Sequence, residues 1–341
     1  MDRQGNTDAP GPIGAVVQRI RASRQVTVDE LALRADLGVA DVRDLEGGRG
    51  WVASYSSLVQ FAEALGVSPV ELSGRPVTPG GQAEADLLGT AFFVRRLLAE
   101  APNRAVEDHE RAVDRLLQAD LDGDESALST ELLACMSAGC AEPEVYAAGA
   151  GLLRRLGFVD LAWLMLHRAR APEHRAVLAE EARLLLELGQ PEAALARAGR
   201  ATFTESLILQ AIAHAFLRNG SAARAALRAA GQRAESPEAA GRVRAARASV
   251  ALELGLPDEA LDHYEHAADG RLPHAERYEL LAVAARAHAL VDRPSDAAEL
   301  LDQAHGHAPL RLASDPLARE VLHHLRRTGA ATRTPRSDRV R

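Results

Sequence analysis

The sequence contains no lysine, and all 40 of its basic residues are arginine. Aromatic residues make up only 4% of the 341 positions, and the alternating runs of Val, Ile, Tyr and Thr that strands require are almost absent. The chain has no apolar run of membrane-spanning length and no signal peptide. These absences exclude a sheet protein and a membrane protein, and we expect an all-α, cytoplasmic chain.

Cysteine is nearly as scarce. Cys135 and Cys140 are the only two, and in a cytosolic protein we expect reduced thiols, with a regulatory disulfide as the lesser alternative. The net charge of −8 excludes a general polyanion binder.

Signatures of catalysis and of metal binding are also absent. The chain has no G-x-x-x-x-G-K-[ST], H-E-x-x-H or G-x-S-x-G pattern. Its twelve histidines include three close pairs, but no constellation with a carboxylate or thiol at helical spacing indicates a metal site. We therefore expect no enzyme activity, no cofactor and no metal.

The stretch from Thr27 to Glu46 predicts two short helices joined by a tight turn. Thr27 is placed to cap the first helix, and Glu30 can reach back to the N–H of that capping residue. The turn falls at residues 36–38, after which apolar residues recur at helical spacing. This pattern predicts a helix-turn-helix, whose second helix enters the major groove of DNA.

Amphipathic segments flank this pair, and the downstream one ends at Gly66 before a short helix capped by Ser68. Residues 13–73 resemble the XRE (lambda-repressor-like) DNA-binding family, which implies a five-helix helix-turn-helix domain. The positions that match the family pattern are Arg21, Thr27, Glu30, Leu31, Ala32, Ala35, Val42, Leu45, Glu46, Gly48, Arg49, Leu58, Ala62, Leu65, Gly66, Val67 and Leu72.

The resemblance places the DNA contacts on the second helix of the pair and at the start of the next helix. The free N–H groups at that helix start suit a phosphate. Asp41 can accept from a cytosine amino group or act as an N-terminal acid that favours the helix dipole. The candidate DNA-binding residues are Val39, Ala40, Asp41, Arg43, Arg49, Ser56 and Ser57.

The charge of this region argues against strong DNA binding. Between Ile13 and Gly74, six arginines stand against eight acidic residues, although phosphate contacts supply much of a DNA binder's affinity. Two interpretations remain: a DNA binder of modest affinity that works as a dimer, or a helix-turn-helix retained for protein contacts.

Composition divides the rest of the chain. Residues 1–12 are polar with two prolines and predict a disordered lead, and residues 74–82 form a Gly- and Pro-rich linker. Residues 83–327 are predicted to be a helical repeat domain. Residues 328–341 are predicted to be a disordered basic tail.

One motif recurs from about residue 142: a helix end, a turn, and a helix with alanine near its start. The alanines of its five copies are 29 to 37 residues apart, close to the ~34-residue period of tetratricopeptide (TPR) repeats. The resemblance implies helix pairs stacked into a solenoid with a concave surface. The five alanines are Ala162, Ala194, Ala223, Ala260 and Ala297.

The concave face is expected to hold a peptide or protein segment. An arginine-bearing groove suits a carboxylate or an acidic segment. Alternatively, the arginines pair with neighbouring acids and the groove is only a dimer surface. The candidate ligand residues, chosen by helix membership alone, are Arg183, Gln210, His214, Arg244, Arg247, Tyr278 and Arg286.

An XRE domain followed by TPR-like repeats is similar to the Gram-positive regulators that sense short peptides. The resemblance implies a homodimeric transcriptional regulator that binds a double-stranded operator, is nucleoid-associated when bound, and senses a signal or dimerises through its repeats. The alternative is a protein–protein interaction scaffold whose helix-turn-helix is a docking module that does not bind DNA.

Overall fold

The computed structural model describes residues 12–75, 79, 81–99, 109–268 and 272–329. In these ranges the chain forms twenty α-helices and no strand, which confirms the predicted all-α fold class. The predicted lead before Pro12, part of the predicted linker and the tail after Gly329 lie outside the described residues.

Five helices form the N-terminal domain, residues 12–75. Their apolar faces meet in one core, in which Val17, Leu31, Val42, Leu58 and Leu65 are all buried. The helices are α1 (Pro12–Ser23), α2 (Val28–Arg34), α3 (Val39–Glu46), α4 (Tyr55–Leu65) and α5 (Pro69–Leu72).

Local signals explain where these helices begin and end. Thr27 and Glu30 form the predicted capping box: the Glu30 N–H donates to Thr27 Oγ1 over 3.1 Å, and the Thr27 N–H donates to Glu30 Oε2 over 2.8 Å. Gly66 ends α4 with φ of 62°, a backbone conformation that glycine adopts without strain.

Fifteen further helices form an α-solenoid. They are α6 (Gln82–Ala99), α7 (His109–Asp122), α8 (Glu125–Ser137), α9 (Pro143–Arg155), α10 (Val159–Arg168), α11 (Arg175–Glu187), α12 (Pro191–Ala198), α13 (Thr204–Phe216), α14 (Gly220–Gln232), α15 (Pro237–Glu253), α16 (Pro257–Ala268), α17 (His274–Leu290), α18 (Pro294–His307), α19 (Pro309–Ser314) and α20 (Pro316–Arg327).

The helices from α9 to α18 pack as successive pairs, each joined by a tight turn. In every pair the repeat alanine lies near the start of the second helix and is at most 1% exposed. A larger side chain at this position would force the paired helices apart. The inner helices α9, α11, α13, α15 and α17 line the concave side.

The solenoid curves until its last turns meet its first ones. Helix α17 packs on α7, and the Arg311 side chain of α19 pairs with Glu125 Oε1 over 3.1 Å. Arg311 also donates to the carbonyl of Ala275 over 3.1 Å. A Cβ built on Gly123 would lie 3.3 Å from the Ala275 Cα, so the backbones approach closely here. The concave side is therefore a partly enclosed space.

None of the helices in the described ranges is long and apolar enough to cross a membrane. The described residues also contain no group of three or more His, Cys, Asp and Glu side chains placed to hold a metal ion. Cys135 and Cys140 are free thiols, and both are buried.

Candidate functional site

The partly enclosed concave side forms a chamber of about 860 Å³. Ligand pockets in proteins commonly measure about 300–1,000 Å³, so the chamber is large enough for a short polypeptide segment. On α15 its wall includes Arg242, Ala245, Ser249 and Glu253. This spacing of three or four residues is the one that keeps side chains on a single face of a helix.

Apolar side chains form much of the wall between the charged groups. Ile208, Ile212 and Phe216 of α13 line the chamber, as do Phe203 at the start of that helix and Leu280 of α17. The chamber therefore combines apolar surface with a few convergent polar groups, which is the usual composition of a ligand pocket.

The arginines at the base of the chamber are paired with carboxylates. Arg154 Nε donates to Glu180 Oε1 over 2.6 Å, and its Nη1 pairs with Glu187. Arg155 Nε donates to Glu125 Oε1 over 2.9 Å. Burial alone would lower the pKa of Arg154 and of Arg155. The neighbouring carboxylates outweigh burial and raise the pKa of both arginines above the usual range. The charges of these two guanidinium groups are already balanced by carboxylates of the chain, so the groups do not need a ligand carboxylate.

Three of the seven predicted ligand residues line the chamber. Arg183 is bound between Glu180 and Glu205. The Tyr278 hydroxyl is buried and donates to Asp315 Oδ2 over 2.9 Å. Arg286 Nη1 donates to the carbonyl of Ala53 in the N-terminal domain over 3.2 Å. Each of the three already has a partner within the chain.

The other four predicted ligand residues do not line the chamber. Gln210 donates to the carbonyl of Ala198 over 3.3 Å, and His214 lies on the same helix. Arg244 and Arg247 are half-buried on α15. Each residue advances the direction of a side chain by about 100° around the helix, so membership of an inner helix does not place a residue on its concave face. For these four residues the structure corrects the sequence-based placement.

Some acidic side chains in the chamber are incompletely paired. Glu276 Oε1 lies 2.6 Å from Arg242 Nε, but Glu276 Oε2 is buried and accepts no hydrogen bond from the described residues. Glu279, one turn along α17, is 66% exposed and lies 3.7 Å from Arg311. Burial, together with the charges of Glu205 and Glu279, raises the pKa of Glu276 to about 7.

The N-terminal domain closes one end of the chamber with Tyr55 and Arg75. Arg75 Nη2 donates to Glu187 Oε2 and to the Tyr55 hydroxyl, each over 3.0 Å. The Tyr55 ring stacks on Phe216, with ring centroids 6.2 Å apart. A Cβ built on Gly189 would lie 2.9 Å from Val59 Cγ1, so α4 fits directly against the turn after α11.

The carboxylate of Glu253 binds the start of α4. It accepts from the N–H of Tyr55 over 3.0 Å and from the N–H of Ser56 over 2.9 Å. These first-turn N–H groups have no partner within their own helix, and a negative charge is favourable at a helix N-terminus. The solenoid thus supplies the anion that this helix start can bind.

A second carboxylate, Glu320 of α20, is completely buried against the same domain. It accepts from the N–H of Ile13 over 2.6 Å and from the N–H of Val52 over 3.4 Å. Burial raises its pKa. Leu317 of the same helix joins the core of the N-terminal domain, so the domain is docked through both polar and apolar contacts.

The predicted DNA-binding residues fall into two groups. In the first group, Ala40, Asp41 and Arg43 of α3 are exposed, as is Arg49 in the turn after that helix, and Val39 is half-buried.

Both arginines of the first group lie near acids. Arg49 Nη2 is 2.7 Å from Asp44, and Arg43 Nη2 is 3.6 Å from Asp29. The second group, Ser56 and Ser57, was predicted to offer free N–H groups to a phosphate. That prediction is wrong for the docked domain, because Glu253 occupies the N–H of Ser56 and the Ser54 side chain accepts from the N–H of Ser57.

Sequence reasoning missed the carboxylates that hold the N-terminal domain, although the sequence contains a signal for two of them. The tetrapeptide Leu-Glu-Leu-Gly occurs at residues 186–189 and again at 252–255. Its glutamates, Glu187 and Glu253, are the last residues of α11 and α15. Phe216 is the last residue of α13, between them. The N-terminal domain therefore rests on the C-terminal ends of three successive inner helices.

Comparison with known proteins identifies distant structural similarity only. No protein-family model matches the chain, and no curated protein matches it. A tetratricopeptide repeat protein from Parabacteroides merdae ATCC 43184 is 15% identical, with 86% of this chain and 98% of that chain covered and a TM-score of 0.44. The APC/C hetero-tetramer Cut9–Hcn1 is 13% identical, with 90% and 68% covered and a TM-score of 0.43.

Proposed function

We propose that this protein binds a polypeptide segment in the chamber, and that its N-terminal domain is a docking module that closes the chamber. The observation that carries the proposal is the partly enclosed space of about 860 Å³ with Tyr55 and Arg75 of the N-terminal domain in its wall. A segment bound there would contact the solenoid and the N-terminal domain together.

The N-terminal domain supports this interpretation better than it supports DNA binding. The N–H groups that a phosphate would need at the start of α4 are bound to Glu253. The exposed Arg43 of α3 and Arg49 after it lie beside Asp29 and Asp44, which lowers their attraction for a polyanion. A helix-turn-helix that docks on its own solenoid matches the interaction-scaffold alternative.

A matched pair of substitutions on α15 tests the proposal. Ala245 lines the chamber, whereas its neighbour Arg244 does not. Ala245→Trp would fill part of the chamber, and Arg244→Trp would place the same ring elsewhere. Peptides selected from a random nonapeptide library on the wild-type protein should bind Arg244→Trp normally and Ala245→Trp at least tenfold more weakly. Circular dichroism and thermal melting verify that both variants fold.

Two results would contradict the proposal. One is that the library yields no binding peptide for a correctly folded wild-type protein. The other is that the selected peptides bind Ala245→Trp as tightly as they bind Arg244→Trp, which would place their site outside the chamber.

A second candidate function, sequence-specific DNA binding by a homodimer, is favoured by the exposure of Ala40, Asp41, Arg43 and Arg49. An exposed face on the second helix of a helix-turn-helix is the face that reads base edges. In this function the operator half-sites would be about one helical turn apart, and the protein would regulate transcription. The start of α4 could reach a phosphate only after Glu253 had released it.

Gel shifts with genomic fragments at fixed salt test this second function. Arg43→Ala combined with Arg49→Ala should lose about 1–3 kcal/mol for each base-edge contact removed. Arg228→Ala, an exposed arginine of α14, is the control. Equal affinity of the wild type and the double variant for every fragment would exclude these residues as DNA contacts.

A further inference from the structure

The first helix of the solenoid, α6, carries two phenylalanines on the surface of the protein. Phe92 is 64% exposed and Phe93 is 50% exposed. Their rings contact each other edge to face, with centroids 5.4 Å apart, so they form one continuous apolar patch. Single exposed apolar residues are normal on folded proteins, but contiguous apolar surface commonly marks an interaction site.

The opposite face of α6 packs on the rest of the solenoid. Leu87, Ala91 and Val94 are buried in the core that α6 shares with α8 and α10, and the hydroxyls of Thr90 and Ser129 are hydrogen-bonded over 2.5 Å. The outer face of a terminal repeat is usually polar, because no further repeat covers it. The phenylalanine pair on α6 departs from this rule, which indicates that another molecule covers the face.

Four residues of this outer face follow one line along the helix: Asp86, Gly89, Phe93 and Arg96. Their spacings of three, four and three residues are those of a seam between two paired helices. The side chains of Asp86, Phe93 and Arg96 are exposed. A Cβ built on Gly89 would meet no atom within 4 Å, so the space above this glycine is open to a second helix.

The charges of α6 are divided between its two ends. Glu84 and Asp86 lie near its start, and Arg95 and Arg96 lie near its end. A second copy of the helix in antiparallel orientation would place each acidic start beside a basic end, and the helix dipoles favour the same orientation. A parallel copy would bring like charges together. The helix is therefore complementary in charge to an antiparallel copy of itself.

One register of the antiparallel pair satisfies the charges and the apolar surface together. When the pair is centred on Ala91, Asp86 lies opposite Arg96 of the second copy, and Gly89 lies opposite Phe93 of the second copy. Each Phe93 ring then enters the open space above the other glycine, as a knob enters a hole between paired helices. Both contacts are made twice, as a two-fold symmetric interface requires.

We propose that two copies of this protein associate through the outer faces of α6 in antiparallel orientation. Phe93 of each copy packs on Gly89 of the other, and Asp86 pairs with Arg96. No residue of α6 lines the chamber, so this interface does not depend on what the chamber binds and leaves it accessible.

Charge reversal tests both the interface and its orientation. In sedimentation velocity at micromolar concentration, the wild-type protein should be a dimer. Asp86→Arg and Arg96→Asp should each be monomeric, because each change places like charges opposite one another at both ends of the pair. An equimolar mixture of the two variants should form a dimer again, because every altered residue then faces the opposite charge. Asp302→Arg, at an exposed position of α18, is the control and should remain dimeric.

Phe93→Ser tests the apolar part of the interface. Loss of a central aromatic side chain should weaken self-association at least tenfold. The melting temperature should equal that of the wild type at a concentration at which both are monomeric, because the Phe93 side chain is exposed within one copy. A lower melting temperature there would show that the chain itself covers the patch, and it would overturn the inference.

Three further results would overturn the inference. One is a wild-type protein that is monomeric at every concentration. Another is a dimer that survives in Phe93→Ser or in either charge variant, which would place the contact elsewhere. The third is a mixture of the two charge variants that associates no better than each variant alone, which would exclude the antiparallel register.

Discussion

The N–H of Ser56 donates to the carboxylate of Glu253 over 2.9 Å, and 197 residues separate the two along the chain. This contact joins the first turn of a helix in the N-terminal domain to the last turn of an inner solenoid helix. A carboxylate at this position occupies the place that a phosphate would take at a helix start. Docking on the solenoid and phosphate binding through this helix start therefore exclude one another.

Glu253→Gln should lower the free energy of unfolding by about 1–3 kcal/mol, because the two first-turn N–H groups lose a charged acceptor. Urea unfolding followed by circular dichroism measures the change. Glu265→Gln, at an exposed position on α16, is the control and should change stability by less than about 0.5 kcal/mol. Equal stability of the two variants would show that the Glu253 contact does not hold the domain.

Glu320→Ala should destabilise the protein by about 1–3 kcal/mol, because the N–H of Ile13 would be left buried without an acceptor. The loss should be accompanied by faster proteolysis between the N-terminal domain and the solenoid, since Glu320 binds both α1 and the loop before α4. Glu265→Ala is the matched control. If Glu320→Ala unfolds at the same urea concentration as this control, the buried contact contributes nothing to docking.

The stability of the protein should depend on the ionisation of Glu276. Its pKa is about 7 in the folded protein and ordinarily 4.5, so the folded state binds this proton more tightly than the unfolded state does. The contribution of this group to stability is fully present below about pH 4.5 and is lost as the pH rises through 7.

Glu276→Gln removes the dependence of stability on the ionisation of Glu276. The variant should therefore become more stable than the wild type as the pH rises from 5 to 8. The gain should approach about 3 kcal/mol at most, from the size of the pKa shift. Urea unfolding at four pH values in this interval measures it. A difference between wild type and variant that stays constant with pH would show that Glu276 ionises normally.

Cys135 and Cys140 should be unreactive in the folded protein. Burial raises the pKa of Cys135 to about 12 and also raises the pKa of Cys140, so little reactive thiolate exists at pH 8. Iodoacetamide should modify neither thiol in the native protein within the time that modifies both in 6 M guanidinium chloride, as measured by mass spectrometry. Equal rates in the two conditions would contradict the burial of these side chains.

Features that depend on a few neighbouring residues could be predicted from the sequence. The capping box of Thr27 and Glu30 and the left-handed glycine at Gly66 are set by local hydrogen bonding and backbone sterics. The repeat alanines could be predicted because a small residue is needed wherever two paired helices meet, and this need recurs in each copy.

The sequence did not predict in this way which residues of the inner helices face the chamber. Arg244 and Arg247 share a helix with Arg242 and Ala245, yet only the latter two line the chamber. A helix with few polar residues on one face reveals its orientation, but α15 carries alanine and arginine all around. Its side-chain pattern therefore leaves its rotation undetermined.

Contacts between distant parts of the chain could not be predicted from the sequence either. Glu320 and Ile13 are 307 positions apart, and their contact depends on the accumulated curvature of all the repeats between them. The repeated Leu-Glu-Leu-Gly stretch shows that Glu187 and Glu253 occupy equivalent positions. It does not show that the partner of both is the N-terminal domain.

Amide hydrogen exchange at Ser56 tests the docking of the N-terminal domain most directly. Ser56 is in the first turn of α4, so its N–H has no acceptor within its own helix and exchanges slowly only while Glu253 binds it. The N–H of Asp29, in the equivalent turn of α2, is the internal control. We predict that in the wild type the N–H of Ser56 exchanges at least a hundredfold more slowly than the N–H of Asp29. In Glu253→Gln the two N–H groups should exchange at similar rates. Equally fast exchange of both amides in the wild type would contradict the docked arrangement.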